Sequence, residues 1–379
     1  SALYAQRQFR TEAEARSWQE LAESAEGAAR GEALRRAAEA WLLAGRPVLS
    51  EELLAGALAI LEACGNRRLQ GIALGTLATV YQNTGRMEPA ERTHALALAI
   101  HREVGNRRVE GTSLASLGNV YQLTGRMEQA ERTYCQALDI HREVGNRRSE
   151  GSVLGNLALV YQLTGRLEQA ERVYAEAQEI SRGVGDRRQM GVTIGNLGIV
   201  YQKTGRKEQA EAVYCEALAI HREVGNRRFE AITLGNLASI LQHTCRLPQA
   251  EQAFHQCLAI LREVRDRRFE GATLGSLAVV YEMSGRLAQA EETYQEALVI
   301  HREVGNRQGE ASTLCDLAGL FIATARIKQA QQAWREGAAI FRTLGNTEAL
   351  NTRTASMREA CATAGMPPLD APQQPDGGS

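Results

Sequence analysis

A four-residue phrase, Gly-Asn-Arg-Arg, returns along this chain at a fixed interval of 40 residues. It stands at 65–68, 105–108, 145–148 and 225–228, and variants of it fill 185–188, 265–268, 305–308 and 345–348. Eight repeats result without insertion: 31–70, 71–110, 111–150, 151–190, 191–230, 231–270, 271–310 and 311–350. Residues 111–150 and 151–190 agree at 23 of 40 positions, so they are copies of one unit. A strict period of this length excludes most globular architectures. One short unit cannot bury its own apolar face, and the core must come from stacking copies.

Each unit reads as two helices. In 111–150, Leu114, Leu117, Gly118 and Tyr121 recur at i, i+3, i+4 and i+7, one stripe of a helix. Thr124-Gly125-Arg126 breaks the stripe, with Gly125 as a C-terminal stop. A second stripe follows at Ala130, Tyr134, Ala137 and Ile140, and Gly145-Asn146 ends it. Gly118, Ala130 and Ala137 let the two helices approach closely, while Tyr121 and Tyr134 supply bulk. Only 7 prolines and 5% aromatic residues also favour helices over a sandwich or barrel.

The arrangement of Leu114, Leu117, Gly118, Tyr121, Ala130, Tyr134 and Ala137 resembles the tetratricopeptide repeat signature, and the likeness covers 31–350. The 40-residue form, with Asn-Leu-Ala or Asn-Leu-Gly in the first helix, looks like kinesin light chains and LGN/Pins-type adaptors. It also looks like the C-terminal sensor arrays of bacterial signalling ATPases. The resemblance implies an all-α protein, a right-handed superhelix of eight helix-turn-helix repeats with a capping helix at each end. Residues 1–30 are the N-terminal capping region, with a helix expected over 11–30. Residues 351–365 form the C-terminal cap, stopped at Gly365, and the Pro- and Gln-rich stretch 366–379 reads as a disordered tail. The chain opens on Ser rather than Met, as expected of a processed chain or a piece of a longer one.

Three repeats depart from the pattern. The first carries Trp41 and Ser50 at the Tyr and Ala positions, and the last carries Phe321, Ala325, Trp334 and Gly337. End repeats meet water on one face, so their drift is expected. The sixth is not an end, yet has Leu241 for Tyr, and Cys245 and Arg265 for Gly.

The composition argues against several functions. Lys+Arg is 44 and Asp+Glu 45, so a polyanion-coating role is disfavoured and no nucleic-acid partner is expected. No run of 18 apolar residues exists, so no membrane span is expected. Seven cysteines without a Cys-x-x-Cys pair point to reduced thiols and a cytoplasmic setting. No phosphate-binding loop, dinucleotide fingerprint or His-Glu-x-x-His motif occurs, and neither catalytic residues nor a cofactor are expected. The recurring His101, His141, His221 and His301 lie one or two repeats apart, too far to share a metal, and read as cations at helix C-termini. His243, Cys245, His255 and Cys257 have zinc-ligand chemistry but fall on different faces, so no metal is expected. Cys135 and Cys215 read as surface thiols two repeats apart.

Function is therefore expected on surfaces. Beside the core stripe of each first helix runs a polar one, which in tetratricopeptide arrays lines a concave groove. It holds Ser116, Asn119, Gln122, Asn156, Gln162, Asn196, Gln202, Lys203, Asn236 and Gln242. Such a ladder of amides and hydroxyls can meet the N–H and C=O groups of an extended peptide without demanding one sequence. The resemblance implies the same use for Asn156, Asn196 and Asn236. Lys203 is the one lysine among them, which argues against the clustered lysines that grip a chaperone tail. A second surface is an arginine edge: Arg107, Arg108, Arg147, Arg148, Arg227 and Arg228. It fits an acidic partner, but Glu110, Glu150 and Glu230 stand close enough for local pairing, the plainer account.

The expected function is a non-catalytic protein- or peptide-binding adaptor. The kinesin-light-chain resemblance implies a tubulin-like filament or other cytoskeletal protein as partner. The alternative is a sensor or regulatory domain of a larger signalling ATPase or transcription regulator.

Overall fold

The computed structural model describes residues 2–370, and the described residues form eighteen α-helices. Contacts divide them into two compact units at Ile220/His221. The first unit holds α1 (Ala2–Ser24), α2 (Gly27–Leu43), α3 (Pro47–Ala63), α4 (Arg67–Asn83), α5 (Met87–Glu103), α6 (Arg107–Leu123), α7 (Met127–Glu143), α8 (Arg147–Leu163), α9 (Leu167–Gly183), α10 (Arg187–Lys203) and most of α11 (Lys207–Glu223). The second holds α12 (Arg227–His243), α13 (Leu247–Val264), α14 (Arg267–Met283), α15 (Leu287–Glu303), α16 (Arg307–Ala323), α17 (Ile327–Thr343) and α18 (Thr347–Thr363). Within each unit consecutive helices pair, and each pair packs on the next, as a stack of helix-turn-helix repeats requires.

The recurrent phrases are helix punctuation. Gly125 has φ +77°, its N–H donates to the Gln122 carbonyl, and the Arg126 N–H donates to Tyr121. That is the Schellman arrangement, which satisfies carbonyls left open at a helix end and favours glycine at the left-handed position. Gly-Asn-Arg-Arg splits three ways. Gly145 closes α7 with φ +64°, the Asn146 side chain accepts from the Ser149 N–H as the N-cap of α8, and Arg147-Arg148 begin its first turn. The asparagine thus starts a helix as well as following the end of one.

The core follows the predicted stripes. Tyr134, Tyr174, Tyr214 and Tyr294 are fully buried against the first helix of their own repeats. A Cβ on Gly118 would lie 2.6 Å from Tyr134 Cε1, so in this repeat the ring rests directly on the glycine, whereas Tyr174 packs beside Ala158 in the next. The same size matching governs a second notch. Gly71 and Gly111 face His101 and His141, where an added Cβ would fall 2.7 and 2.8 Å from the two Cε1 atoms. Where the first residue of a repeat is Ala231 or Ala311, the partner position carries Leu261 or Phe341 instead. These histidines are buried, and burial pushes the pKa of His101, His141 and His301 down. They are neutral core side chains, which corrects the reading of them as helix-end cations.

Each Thr-Gly-Arg turn also locks one repeat to the one before it. Arg126 stacks on the Tyr121 ring at 4.6 Å, donates through Nε to Thr124 Oγ1, and grips Glu91 of the preceding repeat with two bonds of 3.0 and 2.6 Å. Arg86–Glu51, Arg166–Glu131 and Arg206–Glu171 repeat the clamp in the first unit, and Arg286–Glu251 and Arg326–Glu291 repeat it in the second.

The ends differ from expectation. The N-terminal helix runs from Ala2 to Ser24 rather than over 11–30, because Glu26 is extended and Gly27 takes φ +54° to start α2. At the other end, Leu369 is buried and Asp370 pairs with Arg358 of α18 at 2.6 Å, so the expected tail 366–379 begins folded against the cap. Its residues 371–379 lie outside the described ones.

Candidate functional site

Positions 2, 6, 9 and 12 of each first helix share one face, mostly half-buried, on which amides and hydroxyls alternate with apolar residues such as Leu159, Ile199 and Val279, and its geometry comes from what the amides do inward. Tyr134 Oη donates to Asn119 Oδ1 at 2.6 Å and shares its contact with Gln122 Oε1 at 3.0 Å. Asn156 Nδ2 donates to the same Asn119 oxygen at 3.0 Å. Tyr174 Oη meets Gln162 Oε1, and Tyr214 Oη meets Gln202 Oε1, both at 3.2 Å. The carbonyl oxygens of this row therefore serve buried tyrosine hydroxyls, which need a partner when removed from water. Burial pushes the Tyr134, Tyr174 and Tyr214 phenols well above their usual pKa, so they remain neutral donors. Gln122 and Gln202 are half-buried on this face, and Gln162 is buried.

Asn196 interacts with the Tyr174 hydroxyl. Ser116 is half-buried on the same face, and Lys203 stands exposed at its border. Beside Gln122 and Gln162, Leu123 and Leu163 are 59% and 52% exposed, one repeat apart. In the second unit Asn236 is half-buried, and Gln242 lies with its Nε2 near Met283 Sδ. There two carboxyls replace the amide pattern. Glu282 takes the glutamine position and accepts from Tyr294 Oη at 3.3 Å, and burial raises its pKa. Asp316 takes the asparagine position and pairs with Arg353 of α18.

The arginine edge is largely consumed at home. Arg107 bonds Glu110 at 2.7 Å and also Glu143. Arg147 bonds Glu150 at 2.7 Å, and Arg227 bonds Glu230 and Glu263. Glu110, Glu150 and Glu230 are buried at the first turn of their helices and also receive the arginine that precedes the repeat boundary, as Arg142 Nε does on Glu150 at 3.0 Å. Arg148 and Arg228 meet Asp186 and Asp266 at 3.2 Å. Among the described residues Arg108 has no such partner. The four zinc-type residues of the sixth repeat diverge. Cys257 Sγ lies 3.1 Å from the Ala231 carbonyl oxygen, His255 Nε2 lies 3.0 Å from Tyr281 Oη, and Cys245 sits exposed in a turn. No group of three or more His, Cys, Asp or Glu side chains is placed to hold a metal among the described residues. No helix of the described residues is long and apolar enough to cross a membrane.

Sequence reasoning missed the Arg126–Glu91 clamp and the tyrosine–glutamine bonds. The repeated Thr-Gly-Arg and Ala-Glu-Arg phrases carried the first, and the constant spacing of Gln122 to Tyr134 and Gln162 to Tyr174 carried the second.

Comparison with known proteins gives one family. The profile described as Tetratricopeptide repeat matches residues 69–143, 149–223, 229–303 and 269–343, well over half of the chain. No curated protein is matched. Among solved structures, a signal transduction ATPase with numerous domains and a tetratricopeptide repeat sensor, from Pyrococcus horikoshii, superposes with a TM-score of 0.62 at 16% identity. The match covers 85% of this chain and 52% of that one, so the chain spans about half the ATPase's length. The apo quorum sensor NprR from B. thuringiensis gives 0.65 at 15% identity, covering 83% and 88%. The Rap conjugation gene regulator of the plasmid pLS20, in complex with a peptide, gives 0.54 at 17% identity, covering 74% and 76%. At such identities the likeness is one of fold.

Proposed function

The chain belongs to the tetratricopeptide repeat family, and from that premise we propose that it is a non-catalytic sensor or regulatory module that binds an extended peptide on its first-helix face. The observation that supports this reading is the row of amide side chains held in place along that face. Asn119, Gln122, Gln162 and Gln202 spend their carbonyls on neighbouring side chains, chiefly buried tyrosines, which fixes the amides in register from repeat to repeat. A peptide in extended form offers one carbonyl per residue to such a row. Leu123 and Leu163, exposed alongside, supply apolar contact for alternate side chains. Ser116, Asn156, Asn196 and Lys203 complete the face in the first unit, and Asn236 and Gln242 are its counterparts in the second.

The solved structures named above are sensors and regulators, one with a peptide bound, which supports the sensor reading over a kinesin-light-chain-like adaptor associated with a tubulin-like filament. Peptides extracted from the native host, offered to the immobilised chain and identified by mass spectrometry, test the reading. A defined peptide retained by the wild type and lost by the Asn156/Asn196/Asn236→Ala variant supports it. Retention by both moves binding to another surface, and retention by neither removes the peptide-binding reading.

A further inference from the structure

The second unit contains a cavity of about 690 Å³ on the first-helix face of α14, α16 and α18. Its polar lining includes Arg268, Ser276, Gln308, Ser312, Asp316 and Arg353. Arg268, like Arg68, Arg108 and Arg188, stands 38 residues ahead of an asparagine, and of these four it alone lines the cavity. It follows the N-cap of its helix by two residues, as Arg148 and Arg228 do. Those two are neutralised by the N-cap carboxylate 38 residues further on, Asp186 and Asp266. The residue 38 positions beyond Arg268 is Asn306, which caps α16 and carries no charge. Arg268 is exposed and, among the described residues, meets no acceptor.

The charge count of the cavity follows. Arg353 and Asp316 form an ion pair, in which Nη1 alone of the guanidinium donors is used. Glu282 of α14 is not part of the lining. Two guanidiniums against one carboxylate leave the lining one positive charge in excess, and Ser276, Gln308 and Ser312 add uncharged donors beside it. Cavity walls that exclude part of the water strengthen that charge for a ligand.

We propose that this cavity seats the side-chain carboxylate of an acidic residue in the peptide, with Arg268 as the anchoring cation. This rests on the peptide-binding reading above and adds the ligand's chemistry to it. Selection arises from an Asn/Asp choice at the caps: an aspartate closes the preceding arginine to ligands, and an asparagine leaves it open.

Isothermal titration calorimetry in low salt, on the full chain, compares acetyl-Ala-Asp-Ala-Asp-Ala-amide with its Asn counterpart. The blocked ends keep terminal charges out of the comparison. The wild type is expected to bind the Asp peptide about tenfold more tightly or better, as a charge-assisted contact provides. Arg268→Gln removes the preference. Asn306→Asp removes it too, by supplying the missing cap carboxylate while still capping α16. Equal binding of the two peptides by the wild type, binding of neither, or a preference that survives both substitutions overturns the proposal. Those results leave the broader reading intact if host peptides are still captured through Asn156, Asn196 and Asn236. Loss of that capture defeats the broader reading itself.

Discussion

His94 occupies the position that Tyr134, Tyr174, Tyr214 and Tyr294 hold in other repeats, and it does so badly. It is 2% exposed, and neither ring nitrogen has a hydrogen-bond partner. Burial alone lowers its pKa from 6.5 to about 4. The sign of the consequence is fixed. The unfolded chain takes up a proton below pH 6.5 and the folded chain does not, so the stability this neutral side chain allows is fully present above pH 6.5 and is lost as pH falls towards 4. Each pH unit in that window costs roughly 1.4 kcal/mol, which gives about 2 kcal/mol at pH 5. His94→Tyr restores the common residue. The ring is expected to fit, because residue 94 stands opposite Ala78 in its repeat as Tyr174 stands opposite Ala158, and its hydroxyl gains Gln82 as acceptor, as Tyr174 gains Gln162. Urea unfolding of wild type and variant at pH 7.5 and pH 5.0 tests this, with equal m-values confirming that the same surface unfolds. The variant should be the more stable at both values, and its advantage should grow by about 2 kcal/mol at the lower pH. An advantage that does not change with pH would refute the burial argument. The other buried histidines cancel in the difference.

Further outcomes are expected from the same reasoning. Cys245 and Arg265 adopt φ near +58° where most repeats have glycine, so Cys245→Gly should raise stability by about 1 kcal/mol and Gly125→Ala should lower it by about as much, read from urea midpoints. Gly198→Ala would place a Cβ 2.5 Å from Tyr214 Cε1, and should cost about 1–3 kcal/mol while leaving Gly235→Ala, which meets only Cys257 Sγ at 3.7 Å, far milder in thermal melts. Glu150→Ala strips the shared acceptor from Arg142 and Arg147, and should cost roughly 1–3 kcal/mol with faster hydrogen exchange at the start of α8.

The sequence reveals the helices well because one unit is written eight times. Close approach is legible too, in Gly118, which shares a repeat with the Tyr134 ring that rests on it. Partner choice is not legible, and the repetition itself is the reason. Arg126 has Glu131 five residues ahead and Glu91 thirty-five behind, and a periodic sequence offers both equally. The fold selects Glu91, because the turn after α6 lies over α5 of the preceding pair. The histidines illustrate a second limit. His101 and His141 sit in the last turn of a helix, where a cation is welcome, yet the notch left by Gly71 and Gly111 draws them inward. The changes from Gly71/His101 to Ala231/Leu261 and Ala311/Phe341 were the available signal. For the candidate face, residue identities were readable, while the inward turn of Gln122, Gln162 and Gln202 carbonyls depended on tyrosines in another helix.

The central claim is that ligand meets the first helices. Hydrogen-exchange mass spectrometry of the chain, alone and with a peptide captured from the host, measures this most directly. The account predicts slowed exchange in α6, α8 and α10 or in α12, α14 and α16, with the second helices unchanged. Slowed exchange confined to α7, α9, α13 or α15 would contradict it.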